Sequence, residues 1–260
     1  MSSANTGIEW TDKTWNPTTG CDKVSPGCAH CYAEAITRRF PNHFPQGFDL
    51  TLHPDRLDQP RRWRKPSRIF VNSMSDLFHK DVPLDFLRQV FAVMGETPQH
   101  IYQILTKREQ RLQELAPLLP WHPNIWMGVS VESQAYVCRV EALRSVPAQV
   151  RFLSCEPLLG PLKLDLAGIH WVIVGGESGV GFRPLEPEWV ESLQEQTQSA
   201  GVAFFFKQWG GRHSKAKGAL LNGQLDQKMP VFQPRASGVE AAEGAQHEKT
   251  RYKHSASAHL

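Results

Sequence analysis

The chemistry-bearing stretch of this sequence is Cys21-Asp-Lys-Val-Ser-Pro-Gly-Cys28-Ala-His-Cys31-Tyr32, which puts three thiols within eleven residues. Cysteines three apart can both point at one metal centre when they sit at a turn entering a helix. Ser25-Pro26-Gly27 supplies a bend that brings Cys21 back toward the same point. A helix opening at Tyr32 presents its N-terminal N–H groups to negatively charged thiolates. Three thiols, and not four, is the informative count. A structural zinc site takes four protein ligands. A [4Fe–4S] cluster on Cys21, Cys28 and Cys31 instead leaves one iron open, the arrangement in which S-adenosylmethionine is chelated and reductively cleaved to a 5′-deoxyadenosyl radical. The spacing alone leaves both open, because His30, or Cys155 from elsewhere, can complete a zinc site.

Other polar residues recur where short apolar runs end. Asn72, Ser73, Ser75 and Asp76 follow one such run, Thr106, Lys107 and Arg108 the next, and Ser130 and Glu132 the one after. Glu156 follows a further run, Gly175-Gly176-Glu177 another, and Lys207-Gln208 the last. Convergence at strand ends makes Asn72, Ser73, Ser75, Asp76, Ser130, Glu132, Gly175 and Gly176 candidate cofactor-binding positions, and Glu177 and Lys207 candidate catalytic ones. The plainer role for any one of them is a helix cap, a tight turn or a surface ion pair. Cys155 reads as a buried free thiol at a strand end and Cys138 as a core residue of a helix. Arg61-Arg62-Trp63-Arg64-Lys65, with Arg68, offers phosphate contacts and a stacking ring, or simply a solvated face. Trp10, Trp15 and Trp209 are placed to line an apolar pocket near the site loops or to pack.

The elements that must position these residues alternate. Strands are expected at 69–72, 101–106, 125–130, 151–154, 171–174 and 203–207, with a weaker first one within 8–15. Several are near-continuous apolar runs, as parallel strands buried on both faces are. Helices are expected at 32–40, 84–94, 108–119, 133–146 and 186–200. The spacing of Leu84, Leu87, Val90, Phe91 and Met94, and Gly201 just past the last helix, support these assignments. Alternation of this kind gives an α/β fold, a partial (β/α) TIM-like barrel of six or seven parallel strand–helix units, with a doubly wound sheet as the competitor. Residues 1–232 form the barrel domain, including a hairpin at Asn222-Gly223. Residues 233–260, polar and without periodicity, read as a disordered tail.

Composition bounds the rest. The chain has 260 residues, 40% hydrophobic and 21% charged, and a formal net charge of +3. A sizeable core is therefore expected, and the charge is too small to imply nucleic acid by itself. No run approaches the roughly eighteen apolar residues of a membrane helix, and the N-terminus lacks the layout of a secretory signal. Clustered thiols in an odd total of five fit a reducing, cytoplasmic setting.

Several motifs together carry a resemblance: Trp10-Thr11, Thr14-Trp15-Asn16-Pro17, Cys21 to Cys31, Ser73-Met74-Ser75-Asp76, Leu105-Thr106-Lys107-Arg108, Ser154-Cys155-Glu156-Pro157, Gly175-Gly176-Glu177-Ser178-Gly179 and Lys207-Gln208-Trp209-Gly210. From about residue 7 to about residue 230 the chain resembles a family of phage and prophage proteins of unknown function with a C-x6-C-x2-C motif, related to the radical S-adenosylmethionine superfamily. The resemblance implies a [4Fe–4S] cluster, S-adenosylmethionine as cofactor, an electron donor, and hydrogen abstraction from an unidentified substrate, for which a nucleotide or nucleic acid is one candidate. The sequence departs from the superfamily's usual C-x3-C-x2-C spacing, and His30 stands where an aromatic residue is common. The rival expectation is a zinc-binding, phage-type protein that binds or processes nucleic acid.

Overall fold

The computed structural model describes residues 6–213 and 216–231. The expected tail lies outside these residues.

Seven parallel strands form one sheet: β1 (Lys13–Trp15), β4 (Arg68–Val71), β5 (Ile101–Thr106), β6 (Ile125–Ser130), β7 (Val150–Cys155), β8 (Trp171–Gly175) and β9 (Ala203–Gln208). The remaining two, β2 (Thr18–Thr19) and β3 (Thr51–Leu52), make a small antiparallel pair on the connection that carries the cysteines. In the large sheet every strand lies beside the next in the chain, so the sheet curls into a half-barrel. The right-handedness of parallel crossovers puts the helices on one side of such a sheet. The helices are α1 (Tyr32–Arg39), α2 (Leu84–Glu96), α3 (Glu109–Leu115), α4 (Cys138–Arg144) and α5 (Pro187–Ala200).

Two expected helices are shorter than the apolar spacing indicated. The helix after β5 ends at Leu115 and passes into a 3-10 turn, Ala116–Leu118, because Pro117 offers no N–H to continue the α pattern. The stretch after β6 begins with a 3-10 turn, Gln134–Tyr136, and Cys138 is exposed rather than in the core. Between β7 and β8 the chain crosses with no helix. Pro157, Gly160, Pro161 and Gly168 break any helical run there, while Leu158, Leu162, Leu166 and Ile169 still bury themselves in the core.

The two faces of the sheet differ in chemistry. The outer face, carrying Val71, Ile104, Met127, Leu153, Val172 and Phe206, packs on the helices through residues such as Phe86, Val90, Leu143 and Leu193. The inner face holds a second cluster of Trp10, Phe70, Trp126, Phe152, Trp171 and Phe205. Trp10 meets Phe70 edge-on at 4.7 Å, and Trp171 meets Phe205 at 5.9 Å. Gly128 makes this possible, since a Cβ there would lie 2.4 Å from the Phe152 ring.

Candidate metal and cofactor site

Period-two alternation continues each inner-face row toward the C-terminal end of its strand, where the residues turn polar. Trp126 and Gly128 lead to Ser130, Val150 and Phe152 to Ser154, and Phe205 to Lys207. Lys107 Nζ donates to Ser130 Oγ at 3.1 Å, and Lys207 Nζ pairs with Glu156 Oε1 at 2.6 Å. The lower half of the half-barrel is thus a closed aromatic floor and the upper half a polar mouth.

The chain leaving β1 reaches that mouth under restraint. The Asn72 amide group donates Nδ2–H to Thr18 Oγ1 at 2.7 Å and accepts the Thr18 N–H at 3.3 Å. Asn72 itself has φ 61°, a left-handed conformation that its short polar side chain tolerates. Ser73 Oγ and the Met74 N–H both donate to Asn16 Oδ1, and Ser75 Oγ donates to Gly20 O at 2.6 Å. Gly20 must be glycine: a Cβ would fall 2.1 Å from the Asp49 carbonyl oxygen. Asp76 accepts from Thr106 Oγ1, the Lys107 N–H and the Phe78 N–H, and faces Arg108 Nε at 3.8 Å. Asn72, Ser73, Ser75 and Asp76 therefore spend these bonds on holding the segment that delivers Cys21.

The other flank of the cysteine loop is held from the far side of the sheet. His30 Nδ1 donates to Glu177 Oε2 at 2.9 Å, and the Arg183 N–H and Nε donate to the same oxygen at 2.9 and 2.8 Å. Arg183 Nη2 also bonds Glu177 Oε1 and reaches Pro26 O at 3.0 Å. Burial alone raises the Glu177 carboxyl pKa; the Arg183 and His30 hydrogen bonds outweigh it and hold that pKa down at about 2. Below the loop, the fully buried Glu132 gives Oε2 to Arg139 Nη1 at 2.8 Å. Its Oε1 lies 3.2 Å from where a Cβ on Gly27 would stand and has no partner among the described residues. Gly176 passes so close to Trp209 that a Cβ would sit 2.1 Å from its carbonyl oxygen, while Gly175 leaves space beside Glu156.

Cys21, Cys28 and Cys31 are free and partly exposed, and Cys31 stands at the N-cap of α1. Burial and the Asp76 charge push the Cys21 thiol up to about 11, against the opposing pull of Arg108, whose Nη2 lies 3.5 Å from the sulfur. Three thiols without a fourth suit an iron–sulfur cluster. Of the two candidate fourth zinc ligands, His30 gives its Nδ1 to Glu177, and Cys155 is buried on the outer face with its thiol raised to about 12 by burial.

The tryptophans and the basic segment fall away from the mouth. Trp10 belongs to the aromatic floor, Trp15 is buried in the outer core and donates to Arg56 O, and Trp209 packs on Phe206 at 4.8 Å. Trp63 packs on the core with Lys13 Nζ 5.4 Å above its ring, and Arg61 pairs with Asp58 and Glu96. Arg183 and Arg139 were not among the sequence candidates. Neither lies at a strand end or within the cysteine motif.

A model for a family described as proteins of unknown function (DUF5131) matches residues 5–230. The chain belongs to that family. No curated protein matches it. Among solved structures, it is similar to spore photoproduct lyase complexed with dinucleoside spore photoproduct, with a TM-score of 0.47, 14% identity, and coverage of 68% of this chain and 58% of that one. A cysteine-to-serine mutant of that lyase gives a TM-score of 0.49 at 14% identity, with 68% and 59% coverage. A form with bound AdoMet and dinucleoside spore photoproduct gives 0.45 at 14% identity, with 64% and 56% coverage. The chain therefore spans less than two thirds of the length of each of these lyase chains. Among the described residues, no helix is long and apolar enough to cross a membrane.

Proposed function

We propose that this DUF5131 protein is a radical S-adenosylmethionine enzyme of the cytoplasm, holding a [4Fe–4S] cluster on Cys21, Cys28 and Cys31. The chemistry such a cluster supplies is one-electron reductive cleavage of S-adenosylmethionine, by an electron from a separate donor, to methionine and a 5′-deoxyadenosyl radical that takes a hydrogen atom from the substrate. The observation that carries the reading is the placement of the three thiols: partly exposed, and beside the polar mouth of a parallel half-barrel, where Arg108 reaches Cys21.

In this reading the protein's own residues divide the work. Asn72, Ser73, Ser75 and Asp76 fix the approach to Cys21, and Glu177, with Arg183, fixes His30 beside Cys31. Arg108 offers Cys21 a cation that favours the thiolate a metal needs. Ser130, Glu156 and Lys207 face the mouth and contact cofactor or substrate, with Glu132 beneath the loop. The aromatic floor excludes water from below, which protects a reactive intermediate.

Alanine variants of Cys21, Cys28 and Cys31 test this. Each is expected to lose iron and S-adenosylmethionine cleavage together while keeping its secondary structure. Full iron content and cleavage in any of the three would refute the ligand set.

A further inference from the structure

Beside the cysteine loop lies a cleft of about 290 Å³. Its lining includes Val24 and carries five cations, Lys80, Lys107, Arg108, Arg111 and Arg139, against the single carboxylate of Glu109. Three of the cations have acidic partners. Lys80 pairs with Asp81, Arg139 with Glu132 and Glu109, and Arg108 faces Asp76. Lys107 and Arg111 have no carboxylate partner among the described residues. Lys107 Nζ reaches only the neutral Ser130 hydroxyl, and Arg111 gives Nη2 to Val82 O while its Nε is buried without a partner.

A buried guanidinium donor left unpaired is costly, and a multiply charged oxyanion is the ligand that satisfies it. A phosphate brings more charge and more acceptor oxygens than a carboxylate, matching two unpaired cations with Arg108 beside them. Pockets for whole ligands run from about 300 to 1,000 Å³, so this cleft, at about 290 Å³, is of a size for a phosphate and the sugar attached to it. It also shares residues with the proposed active site: Arg108 Nη2 lies 3.5 Å from Cys21 Sγ, and Lys107 Nζ 3.1 Å from Ser130 Oγ.

We propose that this cleft binds a phosphate group of the substrate, carried by a nucleotide or by a nucleic-acid strand, and so places the rest of that molecule at the mouth. It rests on the radical reading for the ligand's being the substrate, and not for the binding itself.

The test uses the full chain, with and without iron, and two probes: AMP by calorimetry, and a fluorescent single-stranded oligodeoxynucleotide by anisotropy. Binding of AMP identifies a nucleotide ligand, and binding of the oligonucleotide without competition by AMP identifies a strand. In either case Arg111→Gln and Lys107→Gln are expected to weaken binding about ten-fold and to lower the salt slope by about one each. Arg111→Lys restores most of the affinity, Arg64→Gln in the distant basic segment leaves it unchanged, and adenosine binds at least ten-fold more weakly than AMP. Melting temperatures of all variants exclude unfolding as the cause. Variants that bind like the wild type, or failure of both probes to bind the wild type, overturn the proposal. S-adenosylmethionine cleavage is measured on the same samples. Its absence with Arg111-dependent binding intact defeats the radical reading and leaves the cleft standing; cleavage without phosphate binding does the reverse.

Discussion

His30 Nδ1 lies 2.9 Å from Glu177 Oε2, and this one bond joins the loop after the first strand of the sheet to the loop after the sixth. It spans the mouth of the half-barrel from one flank to the other. His30 sits between the second and third cysteines, so the bond sets the orientation of the segment on which both depend. His30→Ala is expected to lose iron about ten-fold faster to a chelator than the wild type, the size of effect seen when a partner that orients metal ligands is removed. Hydrogen exchange over residues 22–31 should rise in parallel. Unchanged iron retention and exchange would show that the bond restrains nothing.

The acid behaviour follows from Glu177. Its pKa is held at about 2, against an ordinary value of 4.5, so its contribution to stability is complete above about pH 4.5 and is lost as pH falls through about 2. Arg183→Gln removes the strongest cause of the depression. The variant should cost about 2 kcal/mol at neutral pH, since it leaves a buried carboxylate with His30 as its remaining side-chain partner. Its acid unfolding midpoint should move upward relative to the wild type, as read by circular dichroism between pH 2 and 6.

Gly176 is a packing requirement of the mouth. Gly176→Ala puts a Cβ 2.1 Å from the Trp209 backbone oxygen, where neither partner can yield cheaply. A loss of about 3 kcal/mol, or about 9 °C in melting temperature for a chain of this size, is expected. Gly160→Ala is the control, because nothing lies within 4 Å of its Cβ position. Calorimetry should find the control within about 0.5 kcal/mol of the wild type.

The aromatic floor should be as costly to breach. Trp171 is fully buried and contacts Trp10, Trp126, Phe152 and Phe205. Trp171→Ala should destabilise by about 4 kcal/mol through the cavity it leaves. Chemical denaturation measures it, and a change below about 1 kcal/mol would mean that the floor is not packed as described.

Much of this architecture was legible in the chain before any coordinates. Buried parallel strands are apolar on both faces, so runs such as Ile125–Ser130 and Trp171–Gly175 stand out to within a residue of their ends. The crossover between β7 and β8 carries core leucines on an irregular path, and apolar content without helical period holds little conformational information. At the site, the cysteines announce themselves by spacing. The duties of Asn72, Ser73 and Ser75 did not, because their partners Thr18, Asn16 and Gly20 lie more than fifty residues away. Arg183 lies only six residues from Glu177, but on an irregular loop with no period to mark it, and its reach to Pro26 comes only with folding.

The most direct test is anaerobic purification of the full chain with iron, sulfide and zinc analysis, followed by reduction with dithionite in the presence of S-adenosylmethionine. Our account predicts about four irons per chain, the stoichiometry of a [4Fe–4S] centre, and the appearance of 5′-deoxyadenosine. Stoichiometric zinc in place of iron, with no cleavage of S-adenosylmethionine, would contradict it.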